Sequence, residues 1–361
     1  MLHANGKLRV GIIFGGKSAE HEVSLQSARN VCDAIDRTAF EPVLIGIEKS
    51  GKWCLAGGAS MLEDGGKPVA LVPEGGGLLA GSPPAGKDSV SGESQKLDAV
   101  FPILHGPFGE DGTVQGLLKL AGVPFVGSSV LGSAVGMDKD IMKRLFRDAG
   151  IPMGDFLCIR RHEKPPSFAV VVEKLGNPVF VKPANMGSSV GISKASSDGE
   201  FSAALNEAFR YDTKVIVEEF IAGREIECAV LGNENPMASI PGEIIPKHDF
   251  YSYDAKYLDE NGAVLEVPAK LDPGIVASVQ ELSIKAFRVL GCEGLSRVDF
   301  FLCKDGHLLI NEINTMPGFT KISMYPKLWE ASGIGYTELI SRLIRLAIER
   351  FEKERLLQTS R

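Results

Sequence analysis

Leu295 to Gly318 reads LSRVDFFLCKDGHLLINEINTMPG. Two runs rich in apolar and branched residues flank Asp305-Gly306, a dipeptide suited to the positive φ angles of a two-residue hairpin turn. With the turn closed by Lys304 and His307, counting outwards sets Asp299 opposite Glu312 and Arg297 opposite Asn314. Side chains alternate faces along a strand, so all four project from one face. The other face then carries Val298, Phe300, Leu302, Leu309 and Ile313 as core. Asn311 falls on that face too and breaks the pattern, since a buried amide needs partners. Two carboxylates, an amide and a guanidinium are costly to bury unless something pairs with them. A hard divalent cation with phosphate oxygens would do so, and Mg²⁺ favours that ligation. The same four residues would also serve as ion pairs on a solvated outer face.

The whole chain sets wide bounds on this reading. Its 361 residues allow two or three domains, and 44% apolar with 24% charged residues is ordinary for a globular protein. A net charge of −7 argues against nucleic acid as a partner. Cys32, Cys54, Cys158, Cys228, Cys292 and Cys303 are scattered without a C-x-x-C pair, which suits reduced thiols in a cytosol. The N-terminal apolar run is too short for a signal peptide, and no stretch approaches the length of a membrane span. These features predict a cytoplasmic α/β enzyme.

Working outward, Arg9–Phe14 reads as a buried strand running into Gly15-Gly16-Lys17-Ser18, with a helix over Val23–Ile35. Strand, glycine turn and helix begin a doubly wound α/β unit, although the turn is not the G-x-G-x-x-G of dinucleotide sites. Glu20 sits at the strand's mouth, where such sheets bind ligands; it could hold a ligand ammonium group or simply favour a helix N-terminus. Phe40–Glu48 is a second strand, and Gly51–Gln95, rich in Gly, Pro and Ser, a hairpin-bearing or mobile excursion. A strand over Leu97–His105 leads into the glycine-rich Gly106–Gly112, then a helix over Thr113–Ala121 and a short strand over Val123–Val126. His105 at that strand end is either a ligand contact or merely hydrogen-bonded in place.

Ser128–Asp148 reads as helical, with a helix start at Met137–Asp140, followed by a strand over Ile151–Ile159 and a helix over Phe168–Leu175. Val179–Ile192, reading VFVKPANMGSSVGI, is a strand ending in Lys182, a small-residue loop and a departing strand. Such a loop lets backbone N–H groups approach an anion while Lys182 supplies a point charge, and Lys139 offers a second. A flexible β-turn is the alternative. After a helix over Glu200–Phe209, the strand Lys214–Ile221 ends in Glu218-Glu219. Phe250–Tyr257 has no helical or strand period and suggests a loop folding over a site. The tail from Tyr336 to Leu356 is an amphipathic helix with Leu339, Ile340, Leu343, Ile344, Leu346 and Ala347 on its apolar side.

The VKP strand, GSSVG loop, VEEFIAGRE linker and acidic hairpin ending in NEINTMPG resemble the ATP-grasp superfamily. Adding GGKSAEHEVS, YDAKY and MPGFTKISM, the motifs from about residue 8 to residue 350 resemble the D-alanine–D-alanine ligase family. The resemblance implies an α/β (α+β) chain: a doubly wound parallel-sheet domain over 1–126, then two ATP-grasp subdomains over 127–219 and 220–361, the last with a mobile loop over about 246–262. It implies two D-alanines joined through an acyl phosphate, with ATP and two Mg²⁺ or Mn²⁺ ions held by Asp299, Glu312 and Asn314. Lys139, Lys182, Ser188, Glu218, Glu219, Phe220, Ile221, Glu225 and Lys256 would bind ATP. Glu20 and His105 would meet the first substrate, and Ser323 with the Met324 N–H the second substrate's carboxylate. Arg297 and the Gly318 N–H would steady the oxyanion, while Glu20, Ser188 and Tyr257 would tie the loop shut. The family suggests a homodimer and a role in peptidoglycan precursor synthesis. Rivals are another carboxylate–amine ligase, including one using D-serine or D-lactate, and a nucleotide-binding module without turnover.

Overall fold

The computed structural model describes residues 6–56, 66–73, 77–81, 95–246 and 263–358. They form three sheets. The first holds β1 (Leu8–Gly15), β2 (Phe40–Ile47), β3 (Trp53–Leu55), β4 (Lys67–Leu71), β5 (Leu78–Gly81), β6 (Gln95–Lys96) and β7 (Ala99–Ile103), in the order β6-β5-β4-β3-β2-β1-β7. Its β2-β1-β7 part is parallel, and the excursion adds β3 to β6 as antiparallel hairpins on one side. Helix α1 (His21–Ala34) packs on Val10, Ile12 and Phe14, and α2 (Thr113–Leu120) on the opposite face with Ile13 and Val100, so the sheet is covered on both sides. The expected strand over Val123–Val126 reduces to one parallel bridge between Val100 and Phe125. Pro124 has no N–H with which to extend a ladder.

Helices α3 (Val130–Met137) and α4 (Lys139–Asp148) follow, split where the Asp138 side chain accepts from the N–H groups of Asp140 and Ile141. The second sheet is antiparallel, ordered β10-β9-β11-β8, from β8 (Phe156–Arg160), β9 (Val179–Pro183), β10 (Ser193–Ala195) and β11 (Lys214–Glu219), with α5 (Phe168–Leu175) and α6 (Asp198–Ala208) on one side. Strand β8 begins five residues later than the expected Ile151. Pro152 and Met153 instead join the third sheet, where the Ile310 N–H donates to the Pro152 carbonyl at 2.8 Å.

The third sheet comprises β12 (Gly223–Gly232), β13 (Met237–Ala238), β14 (Gly242–Pro246), β15 (Ala263–Glu266), β16 (Gly294–Cys303) and β17 (Leu308–Asn314). Its order is β15-β14-β12-β16-β17, with β13 on β12. Helix α7 (Pro273–Val289) covers one face, while α8 (Met324–Ala331) and α9 (Tyr336–Glu354) pack toward the first sheet. Phe319, fully buried, meets Phe101 of β7 at 5.5 Å and Tyr336 of α9 at 5.5 Å, joining the first and third sheets in one core.

The hairpin β16–β17 departs from the expected turn and returns to the expected register. Its loop has three residues, Lys304–Gly306: the Cys303 N–H donates to His307 at 2.9 Å, and of the three only Gly306 has positive φ, at 85°. The ladder is therefore displaced by one residue near the turn, pairing Phe300 with Ile310 and Leu302 with Leu308. A bulge that leaves Asn311 without an opposite residue then restores Asp299 opposite Glu312 and Arg297 opposite Asn314. The core positions of β17 are thus Leu308, Ile310 and Ile313, and the expected Leu309 is only half-buried.

Candidate active site between two facing sheets

Opposite residues of an antiparallel pair share a face, so the register of β9 and β11 puts Phe180, Lys182, Ile216 and Glu218 together. The alternate residues Val179, Val181, Val215 and Val217 build that sheet's core. On the third sheet the same rule gathers Glu225, Glu227, Arg297, Asp299, Glu312 and Asn314, while Ile226, Cys228, Val298 and Phe300 form its core.

The two polar faces are electrostatically linked. Arg297 forks onto Asp299, with Nε and Nη2 each 2.7 Å from a carboxylate oxygen, and Nε lies 2.9 Å from Glu227. Asn314 donates to Asp299 at 3.0 Å. Lys139 Nζ donates to the Met186 carbonyl at 2.7 Å and stands 3.5 Å from Glu312. Lys182 Nζ is 2.5 Å from Glu218, and Lys143 Nζ is 2.8 Å from the other oxygen of the same carboxylate. Burial works against the charge on Lys182, yet the acids Glu218, Glu312 and Glu225 raise its pKa. Burial likewise pushes Glu218 up, and Lys143 with Lys182 overcome it, holding the carboxyl down at about 2.

At one end of this cleft, Phe220 is 46% exposed, with Phe180 at 6.1 Å and Lys194 over its ring at 5.1 Å. Glu219 turns the other way: its carboxylate accepts from the Asp155 N–H at 2.7 Å, and its own N–H donates to the Asp155 carbonyl at 3.2 Å. Ile221 sits beside Gly154, where an added Cβ would come within 2.7 Å of its side chain.

At the other end, the loop after β9 reaches the first domain. Ser188 hydrogen-bonds Glu20, with Ser188 and Ser189 both at positive φ, 52° and 62°. Gly106 lies so near Glu20 that a Cβ there would come within 2.9 Å of its carboxylate. His105, 4% exposed, pairs Nδ1 with the Met316 carbonyl at 3.2 Å, and its Nε2 is buried without a partner among the described residues. Burial lowers the His105 pKa, but Glu110 and Glu20 outweigh it and raise it overall. Ser323 caps α8, and its hydroxyl accepts from the Thr320 N–H at 3.1 Å and lies where a Gly318 Cβ would sit 3.0 Å away. The Met324 side chain, at the first position of α8, is buried in the core. Lys256 and Tyr257 lie outside the described residues.

Three acids and bases of this cluster were not singled out by sequence. Lys143 follows Lys139 by one helical turn, Glu227 follows Glu225 by one strand period, and Glu110 lies in the glycine-rich loop beside His105. Helical and strand periodicity carries the first two signals.

A parallel-sheet domain followed by two antiparallel sheets that face each other across lysines and acids is the architecture of an ATP-grasp enzyme. Family models described as D-ala D-ala ligase N-terminus and C-terminus match residues 9–128 and 145–345. A D-alanine–D-alanine ligase of Oceanobacillus iheyensis is 54% identical over 363 residues, covering 98% of this chain and 99% of that protein. The structure of the D-alanine–D-alanine ligase from Coxiella burnetii is 37% identical, with a TM-score of 0.87 over 97% of this chain and 96% of that one. The D-Ala:D-Ser ligase VanG from Enterococcus faecalis is 36% identical, with a TM-score of 0.84 over 94% and 99%. The chain belongs to the D-alanine–D-alanine ligase family. Among the described residues no helix is long and apolar enough to cross a membrane.

Proposed function

We propose that this chain joins two D-alanines into D-alanyl-D-alanine, converting ATP to ADP and phosphate, for peptidoglycan precursors in the cytoplasm. The first carboxylate attacks the γ-phosphorus as the bond to ADP breaks. The second D-alanine's amine then attacks the acyl phosphate carbonyl, and phosphate leaves. The observation that carries this reading is the pairing of Arg297 with Asp299 at 2.7 Å on one sheet face, with Lys182 and Lys139 bound to acids of the same cleft.

Lys139, Lys182 and Lys256 would bind phosphate oxygens, the backbone of Glu219 to Ile221 the adenine edge, and Glu225 the ribose. Arg297 and the Gly318 N–H would face the oxyanion of the tetrahedral intermediate. Glu20 would hold the first ammonium, and the buried Nε2 of His105 fits a hydrogen bond near that substrate. Ser323 and the Met324 N–H would receive the second carboxylate at the start of α8. Ser188 with Glu20, and Tyr257 with them, would draw the loop over the acyl phosphate and exclude water.

Asp299, Glu312 and Asn314 offer only hard oxygen donors toward a cation, and both carboxylates already sit beside positive groups. Among the described residues no group of three or more His, Cys, Asp or Glu makes a closed cage, so phosphate oxygens and water would complete the shell. Mg²⁺ or Mn²⁺, as two ions, would there neutralise charge developing on the phosphates. We also read the chain as three units over 1–126, 127–219 and 220–361, assembled as a homodimer.

Phosphate release with D-alanine, D-serine, L-alanine and D-lactate, with product masses, tests the reading. D-Alanine alone should give fast release and a dipeptide. Release that ignores the D-amino acid would refute it.

A further inference from the structure

We propose that Lys143 is a positioning residue for nucleotide choice: it fixes the Glu218 carboxylate as a hydrogen-bond acceptor at the purine end of the cleft, so that the site takes a 6-amino purine and refuses a 6-oxo one. The proposal rests on the nucleotide reading above, sets the Glu218 carboxylate beside the adenine edge that Glu219 to Ile221 would meet, and adds a residue that does not itself touch the nucleotide.

Glu218 is a carboxylate with two ammonium partners, one on each oxygen: Lys143 at 2.8 Å and Lys182 at 2.5 Å. The two lysines are not equivalent. Lys182 leaves a strand toward the cleft and is drawn there by Glu312 and Glu225 as well as by Glu218. A phosphate would compete for it directly. Lys143 comes from the buried side of α4, with a side chain only 3% exposed, over the Phe156 ring at 5.8 Å. When Lys182 turns to phosphate, Lys143 is the counter-ion that stays with Glu218. A carboxylate left buried without one would take up a proton or turn away.

The protonation state decides recognition. An ionised carboxylate only accepts hydrogen bonds, whereas a protonated one also donates. The exocyclic amine of adenine offers a donor to that acceptor; the 6-oxo group of hypoxanthine brings a second acceptor against it. Mismatched polar pairs are where binding sites discriminate best. Lys143 acts through Glu218, and α4 carries it because Lys139, one turn earlier, is held on the second sheet by the Ala184 and Met186 carbonyls at 3.0 and 2.7 Å.

The test compares K143M, K143R and E218Q with the unaltered enzyme, using ATP and inosine triphosphate with D-alanine. K143M should raise KM for ATP about tenfold, with kcat changed less than about threefold, as loss of one charge-assisted contact implies. The ratio of kcat/KM for inosine triphosphate over ATP should rise about tenfold, and K143R should restore most of it. An unchanged ratio in K143M, with E218Q altering it, overturns the role of Lys143 alone. No nucleotide effect in either variant overturns it together with the placement of the purine. Should K143M not fold, K143M/E218Q is compared with E218Q: equal ratios support action through Glu218, and a further change overturns it.

Discussion

Replacing Arg297 by lysine separates charge from geometry at the centre of the site. The guanidinium makes three short contacts: Nε and Nη2 to Asp299 at 2.7 Å each, and Nε to Glu227 at 2.9 Å. A lysine keeps the positive charge between those two acids, so the sheet should stay folded. It cannot keep a planar fork on Asp299 while also presenting a second N–H to a substrate oxygen. If Arg297 donates to the tetrahedral oxyanion, losing that donor costs about 10²–10³ in kcat, equivalent to about 3–4 kcal/mol of barrier. Ground-state nucleotide binding does not use that donor, so KM for ATP should change less than about threefold. Steady-state ADP release with ATP and D-alanine varied separately reads both quantities, and a melting curve checks the fold. A kcat within about tenfold of the unaltered enzyme, or a loss confined to KM for ATP, would show that Arg297 serves only as counter-ion to Asp299.

Glu312→Gln keeps the shape of a side chain paired with Lys139 at 3.5 Å but removes its charge; turnover should demand at least about tenfold more Mg²⁺, and an unchanged Mg²⁺ titration would contradict the ligand role. Phe319→Ala empties a fully buried ring site shared by Phe101, Tyr325 and Tyr336. A phenylalanine deleted from a core costs about 3–5 kcal/mol, so calorimetry should register a melting shift of roughly 4–6 °C for a chain of this length, and one below about 2 °C would mean the two sheets do not share this core. Glu218 has a folded pKa of about 2 against its ordinary 4.5, so its stabilisation is complete above 4.5 and is lost as pH falls toward 2. Urea midpoints should therefore drop more steeply over that window in the unaltered chain than in Glu218→Gln, and parallel curves would rule out the two-lysine clamp as a source of acid lability.

Much of the cleft could be read from the chain because strand alternation is a local rule. Asp299, Glu312, Arg297 and Asn314 were brought to one face by counting from Asp305-Gly306, and they do lie there. The count succeeded through two compensating offsets. The loop is one residue longer than the dipeptide suggests, and the bulge at Asn311 takes that residue back. Asn311 was the visible trace: a polar residue where the period demanded an apolar one. Leu309 was misassigned to the core for the same reason. The strand expected over Val123–Val126 shrinks to one bridge to Val100, because Pro124 has no N–H to extend the ladder. Arg350 was illegible for another: a cation in the apolar side of α9 is buried because the Phe125 and Gly127 carbonyls accept from it and the Phe125 ring lies under it at 4.5 Å.

Helix α4 shows why the residues between the sheets are hardest to read. Its Met142 and Phe146 are fully buried in the core of the third sheet. The same buried side sends Lys139 to Met186 and Lys143 to Glu218, and at the start of β11 Asp138, its cap, and Asp140 meet Lys214 at 2.5 and 3.5 Å. Arg144, Arg147 and Asp148 face water, while Lys139 and Lys143 lie in the buried stripe beside Met142 and Phe146. Composition does not show which charges are covered, because lysines at the spacing of the apolar stripe read equally as its solvated margin. Burial does: Lys139, Asp140 and Lys143 are 8%, 0% and 3% exposed. Charges buried on this scale must be paired, and pairing them across two sheets sets how those sheets approach. The relative position of Lys139, Lys182 and the acidic hairpin thus depends on the pairs that α4 makes. A substitution there that spares every substrate contact should still disturb the cleft.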